Sequence, residues 1–168
     1  MTIQGGTQAN LNGRVFEKHI ITQLEDKGLT TISSKLMDKS PISILEEKFP
    51  KGVIAKGRNY YTSIYDNPRC FSEYRVYKNS NLHFRLECKW QQGSGSVHEK
   101  IPYFYMNFIE NKFPEPMTIF VYGGDAIIPS ATWLKNAWKN KLYVKDGFNK
   151  ELKVFNLDQF MSWTNREF

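Results

Sequence analysis

Residues 82–91, LHFRLECKWQ, decide the fold. Side chains on a β-strand alternate faces with a period of two. Leu82, Phe84, Leu86, Cys88 and Trp90 fall on one face and all are apolar; His83, Arg85, Glu87, Lys89 and Gln91 fall on the other and all are polar. That pattern predicts a strand packed on a core by its apolar face. A simply solvated outer face in an antiparallel sheet gives the same alternation, so any chemistry has to come from particular residues.

Outward from this strand, residues 58–65 (RNYYTSIY) and 73–78 (EYRVYK) also look like strands, set apart by the turn-like DNPR and KNSN. Before them a helix is expected over about 11–27, where Phe16, Ile20 and Leu24 recur at spacing four and Gly28 is a stop signal. Residues 1–10 are polar and Gly-containing and predict a loose arm. In 29–57 the clear sign is a short helix in SPISILEEKF, begun at Ser40 and Pro41 and ended near Pro50. After the strand come the linker QGSGS (92–96) and a helical stretch to about Lys112. Ser96 and Glu99 fit a capping box there, and Pro102 is expected to break or kink it. MTIFVYGG (117–124) has the pattern of a central buried strand. A helix from Ser130 to about Lys141, a strand at 152–155 and a helix from Asp158 complete the order. Helix, antiparallel meander, then α-β-α-β-α describes one α/β domain over 1–168, with a mixed central β-sheet flanked by helices.

The 168 residues suffice for one domain with a hydrophobic core. Lys and Arg exceed Asp and Glu by 23 to 17, which favours a polyanionic partner, nucleic acid ahead of an anionic membrane. Two cysteines, Cys70 and Cys88, do not make a disulfide framework, and Cys88 lies in the apolar phase of its strand. No apolar signal core and no run of about 20 apolar residues is present, so a soluble, cytoplasmic protein with no membrane partner is expected. Three histidines and two cysteines give no zinc spacing, and no Cys-His or Ser-His-Asp set can be assembled. The P-loop spacing is absent as well, so no nucleotide cofactor is expected.

The polar face of 82–91 carries Glu87, Lys89 and Gln91 in the order Glu-x-Lys-x-Gln. Phosphodiester hydrolysis needs a cation to neutralise phosphate charge and to make water nucleophilic near neutral pH. Mg²⁺ favours hard oxygen ligands, and one or two carboxylates commonly suffice. A lysine two residues along lies on the same face, about 7 Å further on, where its ammonium can meet the attacking water and a phosphate oxygen. Glu17 borders the apolar stripe of the first helix; it is either one more carboxylate for such a site or an edge residue reaching solvent.

ECKWQ at 87–91, after a meander and before a Gly/Ser-rich turn into a helix, resembles the catalytic motif of PD-(D/E)xK nucleases. The longer run ECKWQQGSGSVHEKIPY (87–103) is similar to one group among them, and the resemblance extends over roughly 11–125. It implies a restriction endonuclease-like fold and a Mg²⁺-dependent DNA endonuclease, with Mn²⁺ as a substitute ion. Glu87 then matches the metal-binding acid, with the Cys88 carbonyl as a second ligand. Lys89 matches the lysine that orients or activates water, and Gln91 the polar residue that closes the site. Glu17 matches a helical acid that joins the metal. Where the family has Pro-Asp this chain has Ser72-Glu73, so Glu73 is the candidate for the remaining ligand and Asp66, in the turn-like YDNP, is its rival. His98 and Lys100 are read first as surface residues. Target reading falls to loops at 29–57 and 66–72 or to a homodimer. The alternatives are a structure-specific junction resolvase, a non-catalytic nucleic-acid-binding module on the same fold, and an interaction protein whose polar strand face is merely solvated.

Overall fold

The strand expected at 82–91 forms over Leu82–Trp90, one residue short of Gln91, and a six-stranded sheet extends on both sides of it. The computed structural model describes residues 5–79, 82–93 and 95–168. Residues 1–4 of the expected arm, 80 and 81 of the KNSN turn and 94 of the QGSGS linker lie outside the described residues. The strands are β1 (Thr30–Ser33), β2 (Val53–Tyr61), β3 (Cys70–Asn79), β4 (Leu82–Trp90), β5 (Met117–Gly123) and β6 (Glu151–Asn156), and they lie side by side in chain order. β2, β3 and β4 are antiparallel; β1 pairs parallel with β2, and β5 and β6 continue parallel from β4. The sheet is therefore mixed, as expected.

Helices cover both faces. The apolar phase of β4 packs with Phe16, Ile20 and Leu24 of α1 (Gly5–Asp26) and with Phe160 and Trp163 of α6 (Leu157–Glu167). The opposite face packs with Ile101, Tyr105 and Phe108 of α4 (Val97–Ile109) and Leu134 of α5 (Ile128–Lys139). At the β1 edge lie α2 (Ser34–Lys39) and α3 (Ile42–Lys48), which bury Met37 and Leu45 against Val53, Ala55 and Tyr77.

Four expectations need correction. The supposed arm belongs to α1 from Gly5 onward. The strand expected at 58–65 starts at Val53 and stops at Tyr61, because the buried triplet Val53-Ile54-Ala55 anchors it. β1 and α2, only four and six residues long, are too short for periodicity to reveal. Pro102 lies inside an unbroken α4, where it forgoes one backbone bond, and Ser96 makes no side-chain capping bond among the described residues. The helix stop at Gly28 is as read. Gly28 takes φ 91°, its N–H donates to Glu25 and that of Leu29 to Leu24, the two bonds of a Schellman ending.

Candidate active site

The sheet opens into a fork beside the Glu-x-Lys motif. Tyr74↔Leu86 is the last pair joining β3 to β4 at this end. Beyond it β3 stays with β2 as far as Tyr61↔Cys70, and β4 stays with β5 as far as Trp90↔Gly123. Glu73 and Glu87 are each one residue past the last pair, on opposite arms. Two carboxylates thus face a gap that no backbone hydrogen bond closes.

A buried charge pair braces the fork. Arg85, 1% exposed, donates to Glu115 (Nε–Oε2 2.8 Å, Nη2–Oε1 3.1 Å), and Glu115 is itself fully buried. The Arg85 Nη1 also donates to the Ser72 hydroxyl at 2.5 Å and to the Asn59 carbonyl at 3.0 Å. Asn59 in turn donates to the Glu73 carbonyl at 3.2 Å, opposite a bulge between Lys56 and Asn59 in β2. Ser72, which stands where the motif has proline, is therefore tied to β4 through Arg85. Sequence pattern placed Arg85 on a polar face without marking it as buried; its partner Glu115, in the loop before β5, gave no signal.

Behind the fork, Glu17 comes from α1 on the opposite face of the sheet. It lines one cavity with Glu73 and Tyr74 and interacts with both. Burial first, then the charge of Glu73, pushes the Glu17 carboxyl up to about 7; Lys89 pulls the other way without cancelling this. Two carboxyl groups this close disfavour a second negative charge, so Glu17 keeps its proton up to about pH 7. The Tyr74 hydroxyl, raised above its usual range by burial and by the same two acids, stays a donor. Lys89 contacts Glu87 at 2.5 Å. Burial pulls the Lys89 ammonium down, but adjacent Glu87 outweighs it, and the group is held charged.

The remaining predicted residues divide. Cys88 is buried, lines the cleft, and has its thiol pushed up by burial, so its side chain is inert while its strand position borders the gap. Gln91 does not enter the cleft. Its amide donates to the carbonyls of Gly93 and Gly95 at 2.9 and 3.2 Å, and so pins the turn from β4 to α4. Asp66 sits in the β2–β3 loop with φ 55°, 90% exposed and 3.9 Å from Lys112. His98 contacts Ser130 on α5. Arg14, Lys18 and Lys56, not singled out by sequence, line a cavity of about 890 Å³ on the α1 side that also reaches Glu17, Glu73 and Lys89.

The donor set suits a hard divalent cation. Among the described residues no three His, Cys, Asp or Glu side chains stand as a ready-made cage, and Glu87 is paired with Lys89. Mg²⁺ needs only one or two carboxylates beside waters and phosphate oxygens, and Glu17 with Glu73 is such a pair. The charge of Glu73 beside a buried Glu17 is a local excess of negative charge of the kind a cation relieves.

The family model for the PD-(D/E)XK nuclease superfamily domain matches residues 8–168, nearly the whole chain. The chain belongs to the PD-(D/E)XK nuclease superfamily, whose members are generally nucleases and typically use divalent metals. A nuclease domain implies a nucleic-acid substrate. No curated protein and no solved structure matches the chain. No helix among the described residues is long and apolar enough to cross a membrane.

Proposed function

We propose that the chain is a Mg²⁺-dependent DNA endonuclease, with Mn²⁺ able to replace Mg²⁺. The observation that carries this reading is the sheet fork, which sets Glu73 and Glu87 across one gap with Glu17 behind it and Lys89 beside it. Glu73, Glu87, Glu17 and the Cys88 carbonyl would hold the ion, which supplies charge neutralisation at phosphorus and a more acidic water. Lys89, charged and pinned by Glu87, orients the attacking water and a non-bridging phosphate oxygen. Gln91 is a positioning residue that fixes the turn behind Lys89. Arg14, Lys18 and Lys56 would provide the salt-dependent grip on the backbone. Cutting both strands of a duplex calls for two such centres, and hence a homodimer.

Supercoiled plasmid is the simplest test. With Mg²⁺ or Mn²⁺ the protein should convert it to nicked circles, and to linear product if a dimer acts; with EDTA it should not. Failure to nick with any divalent ion, while DNA is still bound, would leave the binding-module reading instead.

A further inference from the structure

A second pocket opens on the opposite side of Lys89 from the basic cavity. It has a volume of about 280 Å³ and lies between β4 and α4, with Glu87 and Lys89 forming the wall it shares with the fork. Its interior is aromatic and apolar, with Tyr61, Phe104 and Phe120 among its walls, and Lys100 and Val97 stand at its α4 side. At the same pocket Tyr103 is stacked by Tyr65, a loop residue 76% exposed, with ring centroids 5.5 Å apart and planes 17° from parallel.

Apolar aromatic walls with ammonium groups beside them match a nucleotide: a flat base inside and a phosphate outside. A cavity of this size exceeds what one water fills and is far too small for a base pair with its two backbones. Resting on the endonuclease reading, we propose that this pocket receives one unpaired base next to the scissile phosphate, so that the favoured substrate is DNA with an unpaired nucleotide at the cleavage point. The backbone follows the basic cavity on the α1 side, the phosphate lies in the fork, and the adjoining base turns into the α4 side. In an intact duplex that base is held in the stack and has to be extruded first.

Binding by fluorescence anisotropy, in Ca²⁺ or without metal, tests this independently of cleavage. The probes are a labelled duplex, fully paired or with one unpaired nucleotide, and the corresponding single strand. Base–aromatic stacking predicts that the wild type binds the unpaired forms about tenfold more tightly than the paired duplex. Val97→Trp, which fills the pocket from its edge, should bring that ratio near one while retaining affinity for the paired duplex. Lys100→Ala should lower affinity for the unpaired forms about threefold more than for the duplex. A wild type that does not distinguish the probes, or a preference unchanged in both variants, overturns the proposal. A preference with the expected variant effects but no cleavage in any metal supports the pocket and defeats the nuclease reading alone.

Discussion

Glu17 on α1 and Glu73 on β3 line one cavity and raise each other's cost of carrying charge, although their elements belong to different layers of the fold. Burial and the charge of Glu73 make ionising Glu17 unfavourable, and the sign of its effect on stability follows. Its folded value of about 7 lies above its ordinary value of 4.5. Its contribution is fully retained below pH 4.5 and is lost as pH rises toward and through 7. In EDTA, Glu17→Gln should match the wild type near pH 4 and melt about 3–6 °C higher at pH 8. Melting curves for the two proteins that run parallel over this range would show that Glu17 is not held protonated.

A cation that offsets the charge of Glu17 and Glu73 should stabilise the protein. At a hundredfold excess over its dissociation constant, a ligand adds about 2.7 kcal/mol, which corresponds to a rise of about 5–10 °C for a domain of this size. Thermal melts at pH 8 with and without Mn²⁺ should show this rise in the wild type and in Asp66→Ala, and lose most of it in Glu73→Ala. The reverse pattern would move the second ligand to the β2–β3 loop.

The brace behind the fork is a stability element that the site depends on. Glu115→Ala leaves the Arg85 guanidinium buried and uncompensated, a change that typically costs roughly 3–5 kcal/mol. Urea denaturation should show a loss of that size, with Glu115→Gln losing less because it still accepts a hydrogen bond. A loss under about 1 kcal/mol for Glu115→Ala would mean that Arg85 finds water.

Gln91 and Gly124 act together at the turn that leaves β4. Gly124 has φ 85°, and a Cβ there would lie 2.3 Å from the Gln91 carbonyl oxygen. Gly124→Ala should therefore destabilise by about 1–3 kcal/mol, and Gln91→Ala by about 1–2 kcal/mol through its two lost amide bonds. Neither change should weaken Mn²⁺ binding. Loss of Mn²⁺ affinity in a folded Gln91→Ala protein would put its side chain in the metal site after all.

The strand phase of 82–91 was legible because its alternation is unbroken, and so were the buried β5 and the long helix α1. What could not be read depends on distance in space. Period two put Arg85 on the same polar face as Glu87, but no pattern within β4 shows that α4 covers that face or that Glu115, thirty residues on, neutralises Arg85. Gln91 looked like a continuation of the polar face, yet the strand ends at Trp90 and Gln91 turns away into the linker. The fork itself arises where two ladders part, a relation between strands that one strand's sequence does not carry. Glu73 could be proposed only by its spacing from Glu87; the approach of Glu17 gives it a physical setting.

The most direct measurement is single-turnover cleavage of a labelled DNA in Mg²⁺ by the wild type and four folded variants. Glu73→Ala, Glu87→Ala and Lys89→Ala should each slow the chemical step by about 10²–10⁴-fold, and Asp66→Ala should cut at the wild-type rate. Cleavage that survives Glu87→Ala and Lys89→Ala undiminished would contradict a centre at the β3–β4 fork.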